Sequence, residues 1–289
     1  MLGREFPSAE QHNFLSDKEP EEITSEVSNT SEPEDTSSPF TDKYLNEGDK
    51  GWEIIEAKKV ITDLREIVAQ CQSEEIQEEV QRIVDKVSQN PLVMDHLVRL
   101  AGYDETTYKH CLRVGVSAAE LSTLEKFDAT AEEMEDVLIS GLLHDIGKCN
   151  IPHHIVDSPN KLEPQELTIM KKHVAKGMRM LPEENFEVIN RIIGGHHFWG
   201  KEDRRYGYDP EKPNDKHAEY VTRLSQILAL ADVWDAILNP RSYKTAWTTE
   251  KAAEVIGEEF EGDENLRDKA LNFLPNNTKT SPEAKAKAA

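Results

Sequence analysis

The chain has 289 residues and a formal net charge of −22, with 37% hydrophobic and 31% charged residues. So acidic a surface repels a phosphate backbone, which argues against duplex nucleic acid as a partner. Three cysteines without paired spacing, no signal peptide and no apolar run near the roughly eighteen residues of a membrane span lead us to expect a reduced, cytoplasmic protein with no membrane association.

The first 50 residues carry 13 acidic against 4 basic side chains, a net of −9 that leaves −13 on the remainder. Few large apolar groups lie among them, too few to offset the entropy of ordering, so 1–48 is expected to be a disordered acidic tail. From Trp52, Ile54, Ile55, Val60, Ile61, Leu64, Ile67 and Val68 recur at three- and four-residue steps, the pattern of an amphipathic helix. A second helix is expected from the Ser73 start signal, with Ile76, Val80, Ile83, Val84 and Val87 on one face. This helical pair, 50–90, either packs on its own domain, the commoner fate of such a stripe, or joins two copies into a homodimer.

From Pro91 to about Leu274 the periodicity is helical and no strand alternation is convincing, so the class is all-α, a helical bundle with a catalytic domain over 91–275. The stretch Asn150 to Pro164 and the polar stretch Lys201 to His217, whose Gly, Pro, Asp and Asn residues argue against regular structure, predict loops. Residues 276–289 read as a loose tail. Cys71, Cys111 and Cys149 are expected to pack as small hydrophobes.

Several of the ten histidines fall on apolar stripes. His110 shares a face with Val114, Ala118 and Leu121; His173 shares one with Ile169, Met170, Gly177 and Met180; Asp232 follows Leu224 and Leu228 at four-residue steps. A lone group of this kind is usually a satisfied core residue, because burying it otherwise is costly. Here there are several, together with the adjacent pairs His144-Asp145 and His196-His197, each beside glycines that permit a helix to end. Nitrogen and oxygen donors in this number suit iron, manganese or zinc rather than a structural thiolate site.

His110, then His144-Asp145, then Asp232 resembles the H…HD…D signature of HD-superfamily phosphohydrolases. Further motifs resemble the HD-GYP family: His-Asp-Ile-Gly-Lys-Cys-Asn-Ile-Pro, Ser-Pro-Asn-Lys-Leu, Met-Lys-Lys-His-Val-Ala-Lys-Gly, His196-His197 and Ala-Asp-Val-Trp-Asp-Ala-Ile…Arg-Ser-Tyr-Lys. The similarity covers about residues 100–255. It implies an HD helical fold and a phosphodiesterase acting on cyclic di-GMP or a related nucleotide phosphoester. It also implies two divalent transition-metal ions, iron or manganese. One would be held by His110, His144, Asp145 and Asp232, the other by His173, His196 and His197, with Asp145 bridging. Asp145 and Lys148 would be the catalytic residues, with Lys148, Arg241 and Lys244 meeting the substrate phosphate; a solvated helix-end lysine and an ordinary basic surface pair are the competing readings.

The family follows its paired histidines with Glu, then Asp-Gly, then Gly-Tyr-Pro. This chain reads His-His-Phe-Trp-Gly-Lys-Glu-Asp-Arg-Arg-Tyr-Gly-Tyr-Asp, which keeps Gly207-Tyr208 and replaces the proline with Asp209. Tyr208 is therefore a candidate substrate contact. Phe198, Trp199 and Tyr206 are further candidate stacking faces for a purine, against the commoner role of packing a loop. The altered loop also supports an alternative: a metal-binding, catalytically weak signalling or protein-interaction module. His153 and His154 are either near the site or exposed, and His12, His96 and His217 have no matching family position.

Overall fold

The computed structural model describes residues 50–277 apart from 125–128, 211–216 and 240–247. The tail expected at 1–48 and the candidates Arg241 and Lys244 therefore lie outside the described residues. Twelve α-helices and two short 3-10 turns make up the described secondary structure, with no strand among them. The helices are α1 (Lys50–Val68), α2 (Glu74–Val87), α3 (Pro91–Tyr103), α4 (Glu105–Ser122), α5 (Ala131–Leu143), α6 (His153–Val156), α7 (Pro164–Lys171), α8 (His173–Met180), α9 (Glu183–Gly195), α10 (Ala218–Leu238), α11 (Thr249–Glu259) and α12 (Glu264–Asn277).

Helix starts follow local chemistry. The Ser73 side chain accepts from the Ile76 N–H at 3.2 Å, Asp104 accepts from the Thr107 N–H at 2.7 Å, and Thr130 with Glu133 forms a reciprocal capping box. Each satisfies an N–H that the first turn leaves unpaired, worth about 1 kcal/mol per cap.

Two apolar cores flank α4. Cys111, Leu112, Val116 and Ala119 face one, with residues of α1, α2, α3, α5 and α9; Val114, Ala118 and Leu121 face the other, with α10, α11 and α12. α4 is thus buried on nearly every side, and its one polar row can hold charge only if that charge is paired. Val60, Leu64 and Val68 of α1 and Val80, Ile83, Val84 and Val87 of α2 belong to the first core. Each fully buried side chain of this size contributes about 1.5–3 kcal/mol relative to water. A homodimer through 50–90 would therefore have to use other faces of these helices, since their apolar stripes close the core of their own chain.

Two expected boundaries shift. The stretch Asn150 to Pro164 is not wholly loop: α6 forms within it, pinned by Ile155, which packs with Ile151, Leu162 and Met170. α12 runs through Asn277, past the expected end of the domain at 275, and Leu266, Ala270 and Phe273 set it against the second core.

Candidate metal centre

Five segments converge between the two cores. His110 lies midway along α4, His144 caps the C-terminus of α5, and Asp145 follows at φ −101°, ψ 6°, where the helix gives way to the 3-10 turn Ile146–Asn150. His173 begins α8, His196 caps α9 with His197 after it, and Asp232 sits on α10. Adjacent helical side chains diverge by about 100°, so each paired motif reaches the cluster by ending its helix there. Gly147 sets the approach of the turn to α8. A Cβ at this position would stand 1.9 Å from the His173 carbonyl oxygen and 2.4 Å from the Gly177 nitrogen, so no side chain fits.

The imidazoles pack edge to face: His110–His144 at 5.2 Å, His144–His196 at 5.2 Å and His173–His197 at 5.4 Å between ring centroids. Three of them are oriented by their own helices. Nδ1 of His144 contacts the Gly141 carbonyl at 2.8 Å, His173 that of Met170 at 2.9 Å, and His196 that of Ile193. A carbonyl only accepts, so Nδ1 carries a proton and Nε2 is the nitrogen turned inward. The two oxygens of Asp145 face opposite halves of the cluster. Oδ2 lies 3.3 Å from His144 Nε2 and 3.8 Å from His110 Nε2, whereas Oδ1 lies 3.4 Å from His173 Nε2. Asp232 Oδ1 is 3.0 Å from His110 Nε2 and 3.8 Å from His144 Nε2.

Burial disfavours charge on all these groups. Against it, Asp145 draws His144 well above the ordinary imidazole range, while Lys148 and His144 hold Asp145 well below the carboxylate range. His110 and His144 likewise outweigh burial at Asp232 and keep it ionised. His196 goes the other way: burial, then His197 and His144, push it well below the imidazole range, so it stays neutral. Two ionised carboxylates in a dry cluster attract positive charge, which a cation can supply in place of imidazole protons.

The residues fit divalent ions. Donor atoms of His110, His144 and Asp145, of His144, His196 and Asp232, and of His173, His196 and His197 form three groups, each within 4.8 Å. Among the described residues, His144 Nε2, His196 Nε2 and Asp145 Oδ1 are buried without a hydrogen-bond partner, a costly state that a ligated ion relieves. His196 belongs to two groups and so stands between the halves. Cys111 Sγ sits 3.9 Å from His144 Nδ1, on the side away from the inward Nε2, and burial keeps its thiol protonated. Burial likewise pushes the Cys149 thiol up to about 12.

Sequence reasoning passed over Asp235 and Arg113. Asp235 is buried, accepts from His110 Nδ1 at 2.7 Å, and takes two N–H bonds from Arg113 at 2.6 and 2.9 Å and one from Asn239 at 2.8 Å. Burial would raise its pKa; Arg113 and His110 outweigh that and hold it below the carboxylate range. Asp235 thereby orients the His110 ring, with Nε2 turned toward the cluster. The signal was spacing: Asp235 is three residues after Asp232 and Arg113 three after His110, each pair on one helix face. Asp235→Asn keeps the shape but loses the charge, and we expect cation affinity to fall about 10–100-fold. Chelator competition checks it; unchanged affinity would leave Asp235 a packing residue.

The other candidates separate. Lys148 is no solvated helix-end lysine: it is 4% exposed and its Nζ lies 2.7 Å from Asp145 Oδ2. Tyr206 stacks on His197 at 4.3 Å and 25°, whereas Tyr208 packs against Gly194, with the Arg191 guanidinium 5.9 Å from its ring. Trp199 is buried and donates to Ser225 Oγ at 3.1 Å, so it packs the loop rather than offering a face. His153 and His154 are exposed on α6, His217 precedes α10, and His96 is buried on α3 away from the cluster.

Together these features define an all-α domain that gathers histidines and aspartates from separate helices around one buried centre. Residues 107–237 match the HD domain family. It is 29% identical over 181 residues to a cyclic di-GMP phosphodiesterase of Pseudomonas aeruginosa, covering 61% of this chain and 42% of that protein. A 3'3'-cGAMP-specific phosphodiesterase of Vibrio cholerae is 33% identical over 154 residues, 52% of this chain and 28% of the relative. A cyclic di-GMP phosphodiesterase response regulator of Xanthomonas campestris is 32% identical over 133 residues, 44% and 33% of the two chains. The chain spans less than half the length of each of these relatives. Among the described residues, no helix is long and apolar enough to cross a membrane.

Proposed function

We propose that this chain is a metal-dependent phosphodiesterase that hydrolyses a cyclic dinucleotide, with cyclic di-GMP the leading substrate, using two divalent ions, iron or manganese. The observation that carries this reading is the placement of Asp145, whose two oxygens face two different sets of imidazoles. His110, His144, Asp145 and Asp232 would hold one ion; His173, His196 and His197, with the other oxygen of Asp145, the second. The names of the relatives supply the substrate class.

Bound there, divalent cations supply Lewis acidity, lowering the pKa of water toward neutrality and neutralising charge on the phosphoryl oxygens. The chain's own groups do the rest. The Nδ1 anchors fix the imidazole rings before substrate arrives, so no reorganisation is needed during reaction. Lys148 brings a buried ammonium beside Asp145, where it can meet a phosphoryl oxygen. The two cores exclude water from the far side of the cluster. Fixing the base is left to surrounding loops, since the phosphoryl group is common to all these substrates.

Turnover of cyclic di-GMP, 3'3'-cGAMP and a linear dinucleotide, measured anaerobically with Fe²⁺, Mn²⁺ or Mg²⁺, tests the proposal. We expect hydrolysis of at least one cyclic dinucleotide with Fe²⁺ or Mn²⁺. Full loading with two ions and no turnover of any substrate would favour the alternative, a metal-holding interaction module. The 198–210 segment is what favours it: Lys201 and Arg204 pair with Glu259, and Arg205 with Glu261, tying the segment to α11 and its end.

A further inference from the structure

We propose that Tyr206 is a positioning residue of the metal centre, its ring holding the His197 imidazole in place with Lys171 bracing it from α7. This rests on the two-ion reading above and assigns a role to the segment that departs most from the family pattern. His144, His173 and His196 are each oriented by a carbonyl three residues back in the chain. His197 stands beyond the end of α9, and its ring packs against an aromatic side chain. Tyr206 supplies that packing: the two rings stack at 4.3 Å with an interplanar angle of 25°, while His196 lies 3.8 Å away on a tilt of 41°. The Lys171 ammonium lies over the Tyr206 ring, 5.1 Å from its centroid, where the electron-rich face attracts it.

Tyr206 can serve as a wall because its neighbours are fixed on both sides. Before it, Arg205 donates to the Gly200 carbonyl at 2.9 Å and to Glu261 at 2.9 Å. After it, Gly207 takes φ +94°, and a Cβ there would stand 2.4 Å from the Gly194 carbonyl oxygen; the next N–H, of Tyr208, donates to that same carbonyl at 2.8 Å. Gly207 thus lets the chain turn sharply against α9 and lays the Tyr206 ring on His197. A ring held between two anchors loses little entropy on stacking, so its contact goes into orienting the imidazole.

The test uses the full chain and its cation affinities, read by chelator competition and metal analysis after anaerobic reloading with Fe²⁺ or Mn²⁺. Tyr206→Ala is expected to weaken one of the two ions about 10–100-fold and leave the other unchanged, the usual cost of removing a group that orients a ligand. Tyr206→Phe keeps the ring face and should stay within about threefold of wild type, whereas Tyr206→Leu, which keeps apolar bulk without the face, should resemble Ala. Lys171→Met should fall between. A melting curve shows whether Tyr206→Ala is folded; if it is not, the Phe and Leu pair decides alone. If Tyr206→Ala or Tyr206→Leu binds both ions as tightly as wild type, the proposal is wrong, and a change confined to KM would make Tyr206 a substrate contact instead. Wild-type protein that binds fewer than two ions would overturn the two-ion reading and this inference with it.

Discussion

Asp145→Ala is expected to release both cations and abolish hydrolysis while leaving the far-ultraviolet helical signal largely in place. The two oxygens of Asp145 address both halves of the cluster, one 3.3 Å from His144 and the other 3.4 Å from His173. On the two-ion proposal, deleting it would remove an anionic donor from each ion at once and leave the second half with imidazoles alone, a neutral set that binds divalent ions more weakly. It also removes the carboxylate that the Lys148 ammonium, 4% exposed, meets at 2.7 Å. Removing one partner of a buried ion pair costs about 3–5 kcal/mol, so the variant should melt earlier even though its helices persist. The fold survives because the two apolar cores on either side of α4 do not depend on the cluster. We expect a loss of hydrolysis of at least about 10³-fold, the scale of removing a group that organises charge stabilisation. Metal analysis beside turnover decides it: retention of one full equivalent would show that Asp145 serves a single ion and does not bridge.

The helices and most of the centre were legible in the chain because two independent patterns coincided. Apolar residues at helical spacing predicted the bundle, and His110, His173 and Asp232 stood on those same stripes, where an unpaired polar group is costly. What stayed illegible depended on tertiary approach. Lys148 reads equally well as a solvated lysine or a buried one until Gly147 is seen to let its turn press against α8. The choice between Tyr206 and Tyr208 turns on one backbone angle, the positive φ of Gly207, which sends one ring to His197 and the other to Gly194. Trp199 offered an aromatic face on paper, yet a hydrogen bond to Ser225 on α10 takes it into the interior. Asp235 and Arg113 were within reach of sequence reasoning, since an acid three residues beyond a buried acid, and an arginine three beyond a buried histidine, already share a face. The pairing between α4 and α10 that joins them was not.

Lys148→Ala is expected to keep both ions and yet lower kcat on every accepted substrate by about 10²–10³-fold, the usual cost of removing one donor aimed at developing charge. The Lys148 ammonium is buried, and in the absence of substrate its anionic neighbour is Asp145. With Asp145 engaged by cations, that interaction would weaken and the ammonium would be placed to face a phosphoryl oxygen of the substrate. Because the phosphoryl group is the same whatever base it carries, the loss should be nearly equal across cyclic di-GMP, 3'3'-cGAMP and a linear dinucleotide, with the ranking among them unchanged. Lys148→Arg keeps the charge but spreads it over a planar fork that fits a small turn poorly, and should recover only part of the rate. Metal-free Lys148→Ala should also be less stable than metal-free wild type, since Asp145 loses its buried counter-charge, and reloading with Mn²⁺ should close most of that gap in melting temperature. Loss of an ion from Lys148→Ala would mean that the lysine acts only by holding Asp145 in position, and a deficit confined to one substrate would make it a specificity contact; either result overturns its assignment to the phosphate.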